Sequence, residues 1–231
     1  MISIARVFLA MVASTAVLVG CSNSEELSPL SEPLRERLPM LLSRSPEAQT
    51  AAPVSGFPAV NPALVAQHQG PVVGAYVANR EAFALLTPSG QRANLVTWLT
   101  PDKVSMTLAN GAILMRTSGL GHDLAGADVS QLAAAIASGQ GGALQREHVY
   151  LSRDFSQVRE RFSCELTRAG EETLNLAGRA VATVKFEERC RGDEDSFTNV
   201  YWREAGSARV MQSEQWVHPR IGKVYLQLLN Q

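Results

Sequence analysis

The stretch that decides the fold is RAVATVKFEERC, residues 179–190, in which small or apolar side chains alternate with charged ones. One parity holds Ala180, Ala182, Val184, Phe186 and Cys190, and the other holds Arg179, Lys185 and Arg189. A period of two places successive side chains on opposite faces of an extended chain, whereas a helix needs a period near 3.6. The stretch is therefore predicted to be a β-strand with one face buried.

Short runs of the same kind continue in both directions along the chain. The runs 72–77, 82–86, 95–99, 104–108, 113–115, 158–166, 197–202, 208–217 and 224–229 bring the total to about ten predicted strands. Residues 87–90 are predicted to form a turn, and Asn110-Gly111 a hairpin, because both residues tolerate positive φ. One helix interrupts the strands around 132–137, with Asp128 or Ser130 as its cap and Gly139 at its end. This order predicts a single antiparallel β-sandwich or barrel with one short helix over residues 64–231.

The N-terminus is typical of a bacterial lipoprotein signal. A single arginine is followed by VFLAMVASTAVLV, residues 7–19, which is too short to span a hydrocarbon core of about 30 Å. Leu18-Val19-Gly20-Cys21 follows at once, with a small residue before a thiol. We expect residues 1–20 to be removed and Cys21 to carry acyl chains, and Ser22 favours the outer over the inner membrane. An ordinary secretory signal with an incidental cysteine is the alternative.

Residues 21–63 are predicted to be an extended tether between the lipid and the folded domain. Seven of the eleven prolines lie between residues 22 and 63, and proline disfavours both helix and sheet. The domain is then expected to lie in the periplasm.

Cys164 and Cys190 are the cysteines that remain after Cys21. Both fall on the predicted inward faces of their strands, and the expected compartment is oxidising, so a disulfide is the simplest prediction. In the chain-entropy model a loop of about 27 residues stabilises the fold by roughly 3–4 kcal/mol. A reactive thiol pair or half of a metal site are the alternatives.

Three groups of residues resemble the YjbF-type lipoproteins of group 4 capsule and exopolysaccharide systems. They are TWLTPD at 97–102 with Asn110-Gly111 and TSGLGHDL at 117–124, then Glu188-Arg189-Cys190 with NVYW at 199–202, and finally QWVHP at 215–219. Lys103 stands where a small turn residue is expected, and Ser118 where a basic residue is common. The resemblance implies a largely β outer-membrane lipoprotein that takes part in producing or exporting surface polysaccharide. It also implies partners, namely an outer-membrane barrel and periplasmic components of the export system.

The residues offer no catalytic constellation, and we predict neither a catalytic residue, nor a metal, nor a cofactor. With 21 basic and 22 acidic residues, the charge gives no sign of a nucleic-acid partner. The four histidines are scattered without a ligand-like spacing. Glu187 and Glu188 are expected to face opposite sides of a strand, and Asp193-Glu194-Asp195 to form a solvated turn, so neither group is expected to act as a glycosidase carboxylate pair.

Two segments are candidates for contact with a ligand or partner. In Gly119-Leu120-Gly121-His122-Asp123, the glycines could bring amides to an anion or a sugar, with His122 and Asp123 as acid–base partners. The structural alternative, which we favour, is a tight bend capped by Asp123. Tyr201 and Trp202 have opposite strand parity, so one of them is expected to face solvent and is the better candidate for contact with a ligand or partner, for example by stacking on a sugar ring.

These observations favour a non-enzymatic accessory lipoprotein of exopolysaccharide or capsule export. A polysaccharide-binding module is the second hypothesis, and an enzyme acting on the polymer is the third.

Overall fold

A computed structural model describes residues 56–151 and 156–230. The predicted signal, Cys21 and most of the predicted tether lie outside the described residues. Twelve antiparallel strands form one sheet: β1 Val72–Val77, β2 Ala82–Arg92, β3 Leu95–Leu99, β4 Ser105–Ala109, β5 Ile113–Ser118, β6 Leu124–Asp128, β7 Gly142–Leu151, β8 Gln157–Leu176, β9 Arg179–Arg191, β10 Ser196–Glu204, β11 Val210–His218 and β12 Gly222–Asn230.

The sheet closes almost completely into a barrel. Its strand order is β5-β4-β3-β2-β1-β12-β11-β10-β9-β8-β7-β6, so β5 and β6 form the two ends and are joined by residues 119–123. The predicted fold class, mainly β with an antiparallel barrel-like domain and a short helix, is confirmed. The strand count of about ten was too low, partly because β6 is short and its pairing with β7 shifts register between Leu124 and Gly126.

Two α-helices and a short 3-10 helix, Ala78–Arg80, accompany the barrel in the part of the chain that the structure describes. Helix α1, Pro62–Ala66, begins at Asn61, whose side chain accepts a hydrogen bond from the Ala63 amide. Helix α2, Ser130–Ser138, follows Asp128, whose carboxylate accepts from the Ser130 amide, and it ends at Gly139 with φ of 76°. The prediction of this second helix and of its end is confirmed. Within the described residues, none of these helices has the length and apolar character needed to cross a bilayer.

Two predicted turns had different outcomes. The hairpin at Asn110-Gly111 is confirmed, with φ of 43° and 96° at these residues. The turn at 87–90 is wrong: β2 continues to Arg92, and a register shift between Pro88 and Gly90 accommodates the proline, which has no amide to donate.

The hairpin of β8 and β9 is the longest in the barrel. Cys164 lies directly opposite Cys190 in its register, and the two sulfurs form the predicted disulfide. A register shift between Arg168 and Gly170 separates this part of the hairpin from its distal half.

The distal half of the hairpin curls onto the outer side of the barrel, where Glu172 contacts Trp202 of β10. Its tip reaches the outer side of the barrel, where Ala177 packs near Val65 and Leu229. The alternation predicted for the first residues of β9 is therefore wrong: Val181 and Thr183 are buried, whereas Ala180 and Ala182 are exposed. The reason is that the curl turns the outward side of the hairpin onto the barrel.

The chain preceding β1 also packs on the outer face. Phe57 is 3% exposed and meets Phe83 edge-to-face, with 6.0 Å between ring centroids. Gly74 leaves room for it, since a β-carbon there would come within 3.0 Å of the Phe57 ring. Gly56 also lies against the ring of Tyr225, so both residues pack on the barrel although the sequence suggested them as part of the tether.

Candidate functional site

An ion pair between Arg146 and Glu188 occupies the interior of the barrel. Their side chains are 2% and 0% exposed, and Arg146 Nη1 donates to Glu188 Oε2 at 2.9 Å. Burial by itself lowers the pKa of Arg146, but the charges of Glu188 and Tyr201 and the hydrogen bonds to them together outweigh it, and the pKa is raised above its ordinary value. Buried charges are tolerated when they are paired and their other hydrogen-bonding positions are filled.

Two further hydrogen bonds to the Glu188 carboxylate come from residues of β10. The Tyr201 hydroxyl and the Asn199 side-chain amide each donate to Glu188 Oε2 at 2.8 Å. Burial, followed by the charge of Glu188, raises the pKa of Tyr201 well above its ordinary value, so the hydroxyl keeps its proton as a donor. Asn199 Oδ1 in turn accepts from the Trp216 amide at 2.8 Å.

A branch of the same network runs through His148. Arg146 Nε donates to His148 Nε2 at 2.8 Å, and His148 Nδ1 lies 3.0 Å from the Tyr150 hydroxyl. Burial, and then the charge of Arg146, lowers the pKa of His148 well below its ordinary value, so the ring is neutral. Because Nε2 accepts, the proton lies on Nδ1 and is donated to Tyr150, whose hydroxyl donates to the Val217 carbonyl at 2.6 Å.

Side chains of β11 carry the network to the end strand β5. Gln215 Nε2 donates to the Ala112 carbonyl at 2.9 Å, and Gln215 Oε1 accepts from the Leu114 amide at 3.1 Å. Ser213 Oγ also donates to the Ala112 carbonyl, at 2.6 Å. The Ala112 carbonyl and the Leu114 amide, at the end of the sheet, therefore have hydrogen-bond partners on β11 and not on a further strand.

Aromatic rings fill the space beside this network. Phe197 stacks on Trp216 with 4.6 Å between ring centroids, and His148 and Phe162 lie 5.7 and 4.9 Å from Phe197. The interior in this region is therefore a packed, hydrogen-bonded core, which suits mechanical rigidity better than the binding of a substrate.

The bend between β5 and β6 contains the predicted residues Gly119, Gly121, His122 and Asp123. Asp123 Oδ2 accepts from the Gly119 amide at 3.0 Å. Asp123 Oδ1 accepts from the Leu120 amide at 3.0 Å and the Thr117 hydroxyl at 2.9 Å. Gly119 and Gly121 have φ of 94° and 81°. Both carboxylate oxygens are engaged in holding the bend, which matches its structural interpretation.

The fold brings together two histidines that are far apart in the sequence. His122 stacks on His218 with 4.9 Å between ring centroids, and Tyr150 lies 5.3 Å from His218. Burial, and then His122, lowers the pKa of His218, whereas Asp195 acts in the opposite direction. Sequence spacing gave no signal for this pair.

Glu160 lies near the same end of the barrel and was not among the predicted site residues. Burial, followed by the negative charges of Asp195 and Glu194, raises its pKa. Its Oε2 atom is buried and has no hydrogen-bond partner among the described residues. This end of the barrel therefore combines stacked imidazoles with carboxylates.

The cysteines and Glu188 are a further grouping of potential metal ligands. Cys164, Cys190 and Glu188 place one ligand atom each within 4.8 Å of one another. Because both sulfurs are joined in the disulfide, neither is available as a thiolate ligand.

The expectation that Tyr201 or Trp202 faces solvent is wrong, since they are 0% and 1% exposed. Tyr201 points into the barrel, as its bond to Glu188 shows. Trp202 has the opposite parity, but its indole N–H donates to Glu172 Oε2 at 2.9 Å and Lys185 lies over its ring. Glu172 belongs to the curled half of the β8–β9 hairpin, which covers this side of the sheet.

Three other aromatic side chains that are exposed or half-buried lie on the outer face of β2, β1 and β12. Phe83, Tyr76 and Tyr225 follow one another in the register, and the next position across is Glu214 on β11. Phe83 is 39% exposed, and the Tyr76 and Tyr225 rings are half-buried with 5.9 Å between their centroids. We call Phe83, Tyr76, Tyr225 and Glu214 the outer aromatic strip. In the sequence, the position of Tyr76 in the predicted strand 72–77 is the signal that could have indicated this strip.

Residues 41–229 match the family model described as group 4 capsule polysaccharide lipoprotein gfcB, YjbF. The chain belongs to the YjbF family. This membership confirms the resemblance found in the sequence and links the protein to a lipoprotein family of capsule polysaccharide production.

The fold of this YjbF-family chain is similar to that of a solved protein. The crystal structure of the hypothetical lipoprotein YmcC from Escherichia coli (K12) aligns with a TM-score of 0.64 at 20% identity, covering 74% of this chain and 89% of that one. A search of curated protein sequences gave no match. At this identity the structural likeness supports the fold alone.

Proposed function

We propose that this YjbF-family chain is a non-enzymatic accessory of capsule or exopolysaccharide export, anchored through lipids on Cys21 to the outer membrane with its domain in the periplasm. The observation that carries the proposal is the family match over residues 41–229. The partners would be the outer-membrane barrel and periplasmic components of the export system, contacted by the outer surface of the domain.

The packed interior supports a role without catalysis. The charged groups Arg146 and Glu188 are bonded to each other, and both oxygens of Asp123 are occupied by the bend. A general acid or base needs to be within hydrogen-bonding reach of a bound substrate, and these groups are committed to the protein itself.

Deletion of the gene tests the process. We expect cell-surface or secreted polysaccharide to fall under inducing conditions and to be restored by the wild-type gene. Normal polysaccharide in the deletion strain would contradict the proposal. Restoration by a His122→Ala/Asp123→Asn double variant is also expected, whereas its failure at normal protein abundance would favour an enzyme.

The anchor is tested separately with Cys21→Ala. The variant is expected in the soluble fraction, because acyl chains with about 0.8 kcal/mol of transfer free energy per methylene cannot be attached. Mass spectrometry of the wild-type protein should show a lipidated Cys21 in outer-membrane fractions. An unmodified first residue, or recovery with the inner membrane, would contradict the proposed location.

A further inference from the structure

We propose that the outer aromatic strip binds a polysaccharide chain, whose sugar rings stack on Tyr76 and Tyr225. The inference rests on the proposed function, since it identifies the polymer as a direct ligand of the accessory protein. It also replaces the contact expected from Tyr201 and Trp202, which are buried.

The arrangement of the rings suits a flat, extended ligand. Phe83, Tyr76 and Tyr225 lie on three adjacent strands in direct register. Strands are spaced about 4.8 Å apart, so the three rings extend over roughly 10 Å, about the length of a disaccharide. The strip is held rigidly because it belongs to the barrel wall, and Phe83 is also supported edge-to-face by Phe57.

The polar border of the strip distinguishes a sugar from a purely apolar partner. Glu214 lies opposite Tyr225 and forms an ion pair with Lys223, with 3.6 Å between Nζ and Oε2. Covering this pair with lipid chains or an apolar protein surface would remove its hydration without replacing it. Sugar hydroxyls can bond both charges while the C–H face of the same ring lies on an aromatic ring.

The sheet beyond Glu214 leaves room for further sugar units. Along the same register Val200 on β10 and Glu187 on β9 follow, both half-buried. A depression of about 540 Å³ lies next to them, lined by residues that include Arg189, Arg191 and Thr198. From Phe83 to Glu187 the row crosses five strand spacings, roughly 24 Å.

The test uses the full-length chain with Cys21→Ser, which removes the lipid but leaves the domain intact. Surface polysaccharide purified from the strain that carries the gene is cast into a native gel, and mobility is compared with a gel without polymer. We expect the protein to be retarded, and Tyr76→Ala/Tyr225→Ala to weaken the apparent binding roughly tenfold, because two stacking contacts are lost.

Two control variants make the result specific. Tyr76→Phe/Tyr225→Phe keeps both rings and should retain most of the binding, whereas Leu151→Ala removes an exposed apolar side chain elsewhere and should change nothing. Circular dichroism and urea unfolding establish that the alanine variant is folded. Absence of retardation of the Cys21→Ser protein, or equal retardation of a folded alanine variant, would overturn the inference.

Co-sedimentation with phosphatidylethanolamine–phosphatidylglycerol vesicles distinguishes a membrane-facing surface. Sedimentation that depends on the two tyrosines, without retardation by polymer, would overturn the glycan assignment. The proposed function fails on a different result, since it requires the deletion strain to lose polysaccharide whether or not the purified protein binds it.

Discussion

At the scale of single residues, Glu188 is the centre of the buried hydrogen-bond network. It accepts hydrogen bonds from Arg146, Asn199 and Tyr201, all of them buried. A buried ion pair adds little net stability compared with apolar residues of the same size. Removing one partner is nevertheless costly, because the other charge is left buried without a counter-charge. The neighbouring Glu187 has the opposite parity and pairs with the exposed Arg189.

Glu188→Gln is expected to lower the free energy of unfolding by about 3–5 kcal/mol, because Arg146 would be left buried without its counter-charge. Glu187→Gln is the matched control and should change stability by less than about 1 kcal/mol, since its partner is solvated. Urea unfolding of both variants followed by circular dichroism measures the difference. Similar values for the two would contradict the buried ion pair.

Lys103 is a residue whose backbone conformation does not suit its side chain. Its φ is 70°, in the left-handed region where glycine has no steric penalty. This is the position at which the family pattern led us to expect a small turn residue. The side chain is exposed, so its replacement removes no core contact.

Lys103→Gly should therefore raise the free energy of unfolding by about 1 kcal/mol. Asp102→Gly in the same turn, where φ is not positive, should instead lower it by about 0.5 kcal/mol through greater freedom of the unfolded chain. Thermal unfolding of both variants gives the comparison. A destabilised Lys103→Gly would show that the side chain has a role beyond the turn.

At the scale of elements, the β4–β5 hairpin is held to β11 by backbone contacts. The Ala112 amide donates to the Val210 carbonyl and the Val210 amide donates to the Asn110 carbonyl, both at 2.9 Å. Gly111 lies between these bonds with φ of 96°, and a β-carbon there would be 2.2 Å from the Val210 carbonyl oxygen. The turn of this hairpin is thus bonded to a strand that is not its neighbour in the sheet order.

Gly111→Ala is expected to lower the free energy of unfolding by at least about 2 kcal/mol, because both the clash and the positive φ oppose the native hairpin. Gly90→Ala is the control, since a β-carbon there meets nothing within 4 Å. It should be close to neutral. Chemical unfolding with hydrogen exchange at Ala112 tests the docking, and unchanged protection of that amide would contradict it.

At the scale of the whole molecule, the barrel should become less stable in mild acid because it buries a neutral imidazole. The folded pKa of His148 lies well below its ordinary value of 6.5, so below that pH the unfolded chain binds one more proton than the folded one. Stability from this group is present above pH 6.5 and is lost as the pH falls. Glu160 acts in the opposite sense, since burial raises its folded pKa and its contribution is lost as the pH rises.

His148→Gln keeps an acceptor for Arg146 and a donor for Tyr150 but cannot be protonated, which isolates the histidine contribution. Between pH 7 and pH 5.5 the wild type should lose about 1.2 kcal/mol more than this variant. Urea unfolding of the wild type and of His148→Gln at several pH values measures this difference. Parallel curves for wild type and His148→Gln would contradict a neutral buried His148.

The sequence by itself determined the features that depend on local geometry. The period of two in residues 179–190 identified strands, Asn110-Gly111 identified a hairpin, and inward parity placed Cys164 and Cys190 face to face. The tertiary structure alone decided which outward faces stay accessible. The alternation along β10 correctly placed Trp202 and Tyr201 on opposite faces of the strand. The curled β8–β9 hairpin, however, buries Trp202 and leaves Tyr76 and Tyr225 half-buried. Periodicity records the direction of a side chain relative to its own strand, whereas burial depends on what a distant segment places over it.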